Sequence, residues 1–257
     1  KRYEHISDKR ARIYASMVAS LDDSVGRIVK ELESLGLSEN TLIVFASDNG
    51  CAGYIEGACS NAPYSGFKRY HQEGGIRIPL IMSWDNFLPR GLTYKQPVIT
   101  LDLYSTFVAA AGHAGFSSID SVNLIPFIKK EVNSSPHKYL YWRSGPTYAI
   151  RDERWKLMRY SVAPYTARDL GNDGRLTPPT GGWPHELSSE KITLLYDLKA
   201  DPSEQNNLAD SHPEIVKRLT TEYETWASSL AKPSRLGLLY RTAGRASNPS
   251  RLGVDYP

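Results

Sequence analysis

The sequence predicts an α/β fold followed by a smaller unit of antiparallel strands. The first part alternates a long amphipathic helix with short apolar strands, a pattern typical of α/β domains. From about residue 137, strand-like segments separated by turn residues precede a further amphipathic helix. We therefore expect one α/β unit over 1–136, a small β-sheet and helix unit over 137–232, and a surface tail over 233–257.

The long helix is predicted from Ser7 to Leu35. Its apolar residues recur at intervals of three and four positions, which places them on one helical face. These residues are Ile13, Met17, Leu21, Val25, Ile28, Leu32 and Leu35. Asp22 and Asp23 lie side by side and resemble a catalytic pair of carboxylates. Because Asp23 stands four residues before Arg27, we instead expect an ion pair along the helix.

Short apolar runs predict three strands in the first part, at Leu42–Phe45, Pro79–Ser83 and Val98–Thr100. The first of them is rich in β-branched residues and is expected to be buried. A helix from Asp102 to Ala111 follows the third run, with Asp102 as its N-cap.

The second part begins with strands joined by tight turns. A loop insertion is expected from Val162 to Leu187, where Gly, Pro and Thr are frequent. Asp152-Glu153-Arg154 predicts a hairpin turn, and a final amphipathic helix is predicted from His212 to Leu230. The predicted strands are Tyr139–Arg143, Thr147–Arg151, Trp155–Tyr160 and Leu194–Leu198.

Two oxygen-bearing side chains follow the first predicted strand directly. Asp48 and Asn49 stand at its carboxyl end, which is the edge where ligands bind in open α/β sheets. A carboxylate and an amide offer hard oxygen ligands, which suit Ca²⁺ or Mg²⁺ better than zinc. We expect these residues to bind one such cation, while an ordinary turn is the alternative.

A glycine-rich loop follows, from Gly50 to Gly75, and long loops without regular structure are usually functional. Its Lys68 can place a compact positive charge on an oxyanion near the metal, or lie in solvent as most lysines do. His71 is a tentative second candidate, as a substrate contact or a proton donor near neutral pH, with a surface histidine as the alternative. Weaker candidates for the substrate pocket are Tyr54, Tyr64, Tyr70, Trp183 and His185.

Two motifs in this order resemble those of the sulfatases, formylglycine-dependent members of the alkaline-phosphatase superfamily. The first is Phe45-Ala-Ser-Asp-Asn-Gly50, and the second is Gly66-Phe-Lys68 followed by Glu73-Gly-Gly-Ile-Arg-Ile-Pro79. A pattern typical of the C-terminal end of sulfatases also occurs, as Leu195-Tyr-Asp-Leu198, Asp201-Pro-Ser-Glu204 and Asn207-Leu208. The resemblance implies that Asp48 and Asn49 bind calcium, with magnesium as an alternative, and that Lys68 binds sulfate.

The resemblance also implies an incomplete enzyme. Sulfatases form their formylglycine nucleophile from a Cys/Ser-x-Pro-x-Arg motif, and neither Cys51 nor Cys59 is followed by that pattern. We expect the nucleophile and the remaining calcium ligands in the N-terminal half of the same enzyme, which is the expected partner. The fold implied is the C-terminal part of an alkaline-phosphatase-like mixed-sheet α/β sandwich plus the small second unit. By itself this chain is expected to be inactive.

Composition narrows the classes of partner and location. A net charge of +3 is too small to favour nucleic acid, and no apolar run approaches the ~20 residues that span a bilayer. Cys51 and Cys59 can form a disulfide or remain free thiols. By resemblance we expect export to the periplasm, the extracellular space or a lysosome.

The expected substrate is a sulfated carbohydrate or an aryl sulfate. Two other classes of function stay open at this point. One is a phosphate ester hydrolase or phosphoethanolamine transferase of the same superfamily. The other is a non-catalytic module that binds sulfated glycans. The residue in the nucleophile motif would distinguish the three.

Overall fold

The computed structural model describes residues 2–52, 59–68, 70–114, 120–144, 147–162 and 187–231. Tyr54, Trp183 and His185, most of the expected loop insertion, and the expected tail over 233–257 lie outside these residues. The described elements of the first part are α1 Lys9–Ser34, a 3₁₀ turn Ser38–Asn40, β1 Ile43–Ala46, α2 Glu73–Ile76, β2 Leu80–Ser83, α3 Asp102–Ala110 and α4 Ile125–Ile128.

Helix α1 confirms the longest predicted element. The carboxylate of Asp8 accepts a hydrogen bond from the Ala11 N–H at 2.7 Å, which caps the first turn. The expected ion pair inside the helix is wrong. Asp23 instead lies 3.6 Å from Arg2, and Arg27 donates a hydrogen bond to Ser24 at 2.9 Å. A residue outside the helix therefore competes successfully for the Asp23 carboxylate.

Strands β1 and β2 form an antiparallel pair, with Ile43 opposite Ser83 and Ala46 opposite Leu80. Both predicted strands are confirmed within one residue at each end. The expected burial of β1 is wrong for this chain, because the pair is a two-stranded ribbon and its strands are half-buried or exposed. One face of the ribbon and α1 line a largely apolar, partly open cavity of about 460 Å³.

The predicted strand at Val98–Thr100 is wrong. There the backbone turns locally: the Ile99 N–H donates to the Asp102 carboxylate at 2.9 Å, and the Asp102 N–H donates to the Ile99 carbonyl at 2.9 Å. Asp102 is the first residue of α3, not its N-cap. Its buried carboxylate also accepts from the Val122 N–H at 3.0 Å and contacts His137 Nε2 at 2.9 Å. These distant partners explain its position.

The second part contains a four-stranded antiparallel sheet in the order β3-β4-β5-β6, and all four predicted strands are found. The Asp152 carboxylate accepts from the N–H groups of Arg154 and Trp155 and so closes the predicted hairpin turn. The elements are β3 Leu140–Ser144, β4 Thr147–Arg151, β5 Trp155–Val162, β6 Leu187–Asp197 and α5 Pro213–Ser229.

The two faces of this sheet pack against different neighbours. One face meets α5 in a core of Tyr148, Ile150, Leu157, Leu195, Leu219 and Tyr223. The other face carries a second cluster of Ala149, Met158, Tyr160, Leu194 and Tyr196. Successive side chains in a strand alternate between faces, so Lys156 lies on the same face as Met158. This second face contacts the segment that contains α2, through the ion pair of Lys156 with Glu73.

Candidate active site

Backbone hydrogen bonds join the two sequence motifs. The Gly50 N–H donates to the Gly75 carbonyl at 2.9 Å, and the Lys68 N–H donates to the Cys51 carbonyl at 3.0 Å. The residue beside Asp48 and Asn49 is thus bonded to the Glu-Gly-Gly segment. The strand end and the glycine-rich loop form one junction, as a shared site requires.

Glycine is needed where these segments touch. A Cβ on Gly50 would lie 1.8 Å from the Gly74 carbonyl oxygen, and a Cβ on Gly75 would lie 2.2 Å from the Tyr70 carbonyl oxygen. Contacts this short with backbone atoms cannot be relieved by a side-chain rotation. The absence of side chains at Gly74 and Gly75 thus allows the close backbone approach found here.

Asp48 and Asn49 occupy the bend directly after β1. Asp48 is exposed and Asn49 is half-buried, and neither side chain has a hydrogen bond or ion pair with any described residue. Their oxygens are therefore available, and their type suits Ca²⁺ or Mg²⁺. They supply two oxygens, whereas Ca²⁺ takes six to eight. The described part of the chain holds no group of three or more His, Cys, Asp or Glu that could bind a metal.

Lys68 combines a fixed backbone with a free ammonium group. Its N–H is bonded to Cys51, while its half-buried side chain makes no hydrogen bond or ion pair with the residues that the structure describes. A lysine held in this way can meet an anion without first breaking an internal ion pair. Its role as a sulfate ligand stays a prediction.

His71 is buried, so the alternative of a surface histidine is wrong. Its side chain is 8% exposed, and Nδ1 has no hydrogen-bond partner. Burial, together with the charge of Lys156, lowers the pKa of His71 to about 4. The imidazole is therefore neutral at neutral pH, which disfavours the predicted proton donor. A contact with substrate stays a prediction.

Comparison with known families decides the class of the protein. The family described as "Sulfatase" matches residues 2–113, and "C-terminal region of aryl-sulfatase" matches residues 134–248. A third family, "N-sulphoglucosamine sulphohydrolase, C-terminal", matches residues 65–175. This chain belongs to the sulfatase family.

Individual sulfatases align over most of the chain. N-acetylgalactosamine-6-O-sulfatase of Bacteroides thetaiotaomicron is 30% identical in an alignment of 231 residues that covers 81% of this chain and 40% of that protein. Human steryl-sulfatase is 26% identical over 86% of this chain and 43% of its own length. The chain thus spans about two fifths of the length of the curated sulfatases it matches.

Solved sulfatase structures have the same fold. Ps i-CgsB, solved in complex with k-i-k-neocarrahexaose, superposes with a TM-score of 0.70 at 27% identity and covers 94% of this chain and 49% of that one. BT4656, solved with D-glucosamine-2-N,6-O-disulfate, gives a TM-score of 0.62 at 25% identity, covering 84% of this chain and 40% of that one. The predicted fold class is confirmed.

The sulfatase chain also contains a buried charge network that the sequence analysis missed. Lys156 Nζ lies 2.9 Å from Glu73 Oε1 and 2.8 Å from Glu204 Oε1. Glu73 also pairs with Arg151 at 3.3 Å and with Arg77 at 3.6 Å. Glu73 and Glu204 both stand in motifs of the sequence, Glu73-Gly-Gly and Asp201-Pro-Ser-Glu204, but neither motif identifies Lys156 as their partner.

The two carboxylates of the network differ in their electrostatics. Burial raises the pKa of Glu204, and Lys156 offsets this only in part. Burial also acts to raise the pKa of Glu73, but the charges of Lys156 and Arg151 outweigh it and hold that pKa below its ordinary value. Glu73 is therefore the more firmly ionised of the two.

A disulfide begins two residues after Asn49. Cys51 and Cys59 are bonded, with a Cα–Cα distance of 5.9 Å, so the structure decides between the two alternatives that the sequence left open. The bond closes the start of the glycine-rich loop next to Gly50. Among the described residues, no helix combines the length and the apolar character that crossing a membrane needs.

Proposed function

We propose that this chain is the C-terminal part of a calcium-dependent sulfatase that hydrolyses sulfate esters. The observation that carries the proposal is that Asp48, Asn49 and Lys68, whose side chains have no partner among the described residues, lie on two segments joined by the Gly50–Gly75 hydrogen bond. Membership of the sulfatase family supports it over a phosphate ester hydrolase or a binding module.

Each residue has a distinct role in this proposal. Asp48 and Asn49 hold the calcium ion, with magnesium as the alternative, and the ion supplies positive charge at the sulfate. Lys68 donates hydrogen bonds to a sulfate oxygen and stabilises negative charge that builds as the S–O bond to the alcohol breaks. We propose that the formylglycine nucleophile and the remaining calcium ligands belong to the N-terminal half, the partner of this chain.

We propose a sulfated carbohydrate as the substrate. Relatives named for N-acetylgalactosamine-6-sulfate and solved with sulfated sugar ligands support this class. A match to steryl-sulfatase makes an aryl or steroid sulfate the alternative. The Cys51–Cys59 disulfide supports export, because disulfides persist in oxidising compartments.

Substitutions in the full-length enzyme test the function. Lys68→Ala should lower turnover of an aryl sulfate by about 10²-fold or more, as expected for the loss of one preorganised charge. Asp48→Ala should abolish both activity at ordinary calcium levels and calcium binding measured by calorimetry. The exposed residues Lys217 and Asp210 serve as matched controls when changed to alanine.

Four outcomes would contradict the proposal. Near-normal turnover in Lys68→Ala would remove Lys68 from the site, and unchanged calcium binding in Asp48→Ala would remove Asp48 from the metal. A wild-type enzyme that cleaves an aryl phosphate faster than the sulfate is a phosphatase. Binding of sulfated glycan without any hydrolysis would instead identify a binding module.

A further inference from the structure

A lysine of the C-terminal sheet is fully buried between two carboxylates. Lys156 on β5 is 0% exposed, and its ammonium lies within 2.9 Å of both Glu73 and Glu204. Glu204 also accepts a hydrogen bond from the Glu73 N–H at 2.7 Å. Lys156 thus contacts the side chain of Glu73, and Glu204 accepts a hydrogen bond from its backbone.

Glu73 is the first residue of α2 and is followed by the glycines of the junction. The Gly74 N–H donates to the Ser65 carbonyl at 2.7 Å, and Gly75 accepts from Gly50 at 2.9 Å. Residues 70–75 are all buried. Any shift of Glu73 must therefore move backbone that touches both the Asp48–Asn49 bend and the loop of Lys68.

A buried ion pair is a costly way to fill this space. Removing charges from water costs several kcal/mol for each ion, and apolar residues of similar volume are often as stabilising. Arg151 on β4 adds a second positive charge against Glu73. What a charge network provides beyond packing is a defined position for its members, because each hydrogen bond fixes distance and direction.

We propose that Lys156 is a positioning residue of the active site. Through Glu73 and Glu204 it holds the Gly74–Gly75 junction in register, and so fixes Asp48 and Asn49 relative to Lys68. It touches neither sulfate nor metal. This inference rests on the proposed function, and it gives the C-terminal sheet a part in calcium and sulfate binding.

Four variants of the full-length enzyme test it. Lys156→Met keeps the length of the side chain and removes the charge, leaving two carboxylates without their shared partner. Leu157→Ala is the structural control, since Leu157 is the next residue on β5 but packs against α5 on the other face. Lys199→Met controls for loss of an exposed ion pair, that of Lys199 with Glu153. Lys156→Arg restores the charge.

The measurements are calcium affinity by calorimetry, kcat for an aryl sulfate, and thermal midpoint. Lys156→Met should raise the calcium dissociation constant and lower kcat, each at least tenfold, and Lys156→Arg should recover part of both. Leu157→Ala should lower the thermal midpoint while both functional values stay within twofold of the wild type. Lys199→Met should change none of them.

Calcium affinity and kcat within twofold of the wild type in Lys156→Met would overturn the inference and leave the proposed function standing. So would equal losses in Leu157→Ala, since the effect would then be general destabilisation. If Lys156→Met does not fold, the double variant Lys156→Met with Glu204→Gln removes one uncompensated charge and is judged by the same criteria. A wild-type enzyme without calcium binding or sulfate hydrolysis fails the proposed function itself.

Discussion

The two parts of the chain bury their apolar side chains to very different extents. In the C-terminal sheet and helix, Leu157 and Leu219 are 0% exposed, and α5 closes a continuous core. In α1, by contrast, Met17 is 65% and Ile28 is 59% exposed, and the helix has no buried residue. On the neighbouring ribbon, Ile81 is 61% exposed.

This difference arises from what each helix packs against and not from how regularly its apolar residues are spaced. Helix α1 has as regular an apolar face as α5. Within the described residues, α5 packs on the four-stranded sheet, whereas α1 faces only the two-stranded ribbon. The apolar face of α1 and the cavity between α1 and the ribbon are typical of an interface, because soluble monomers rarely expose large apolar patches. We propose that the N-terminal half of the sulfatase covers them.

The largest expected effect concerns the exposed apolar surface of α1 and the ribbon. Expressed alone, this chain should aggregate or bind a hydrophobic dye strongly, and it should hydrolyse no aryl sulfate. Co-expression with the N-terminal half should give a soluble complex without dye binding. The paired change Met17→Glu and Ile28→Glu should reduce dye binding by the chain alone but prevent assembly with the other half.

That prediction has a clear contrary result. A monomeric chain that unfolds cooperatively, binds no dye and cleaves an aryl sulfate would contradict both the proposed interface and the location of the nucleophile in the other half. Light scattering, dye fluorescence and a sulfatase assay on the same preparation provide the three measurements.

The next effect concerns the closed core. Leu219→Ala should lower the free energy of unfolding of the C-terminal unit by about 2–5 kcal/mol, because it leaves a cavity beneath α5. Turnover per folded molecule should not change, since α5 lies on the far face of the sheet from Glu73. Lys68→Ala should show the reverse, with lost turnover and an unchanged midpoint of unfolding. Urea denaturation and kcat measure both variants.

The exposed Lys217 on the same helix is the matched control, and Lys217→Ala should change stability by less than about 0.5 kcal/mol. If Leu219→Ala reduced turnover as strongly as stability, the two regions would not be separable. The site would then depend on the whole C-terminal unit and not on the charge network alone.

Local patterns predicted most of the fold. The helical period identified α1 and α5, and the Asp152 turn identified the hairpin between β4 and β5, because each depends on neighbours in sequence. The two motifs were likewise expected to share one site, and the backbone hydrogen bonds of Gly50 with Gly75 and of Lys68 with Cys51 join them just after β1. The roles of Asp48, Asn49 and Lys68 stay predictions, since they depend on ligands.

Non-local polar contacts explain most of what could not be predicted. Asp102 looked like a helix cap, but its carboxylate bonds to Val122 and His137. The buried position of Lys156 could not be predicted, because a strand's alternation does not say which face will meet Glu73 and Glu204. Likewise, the burial of His71, with the charge of Lys156 near enough to lower its pKa, depends on residues distant in sequence.

The last expected effect tests the contact between the two parts of the chain, where His71 is buried close to the charge of Lys156. Its pKa is about 4 in the folded state, compared with the ordinary value of 6.5 for an exposed histidine. Between these values the unfolded chain takes up a proton that the folded chain does not, so stability falls as pH falls from 6.5 towards 4. The loss approaches about 3 kcal/mol at the acid end of this window.

Thermal midpoints of the full-length enzyme between pH 7.5 and pH 4.5, a range that covers most of the window from 6.5 down towards 4, measure this effect. In His71→Gln the decline of the midpoint below pH 6.5 should be shallower than in the wild type, because glutamine does not titrate there. His113 is exposed, and His113→Gln should follow the wild-type curve. Equal slopes in the wild type and His71→Gln would show that His71 gains solvent or a partner in the assembled enzyme. The surroundings of His71 would then be more accessible to solvent in the assembled enzyme than they are in this chain.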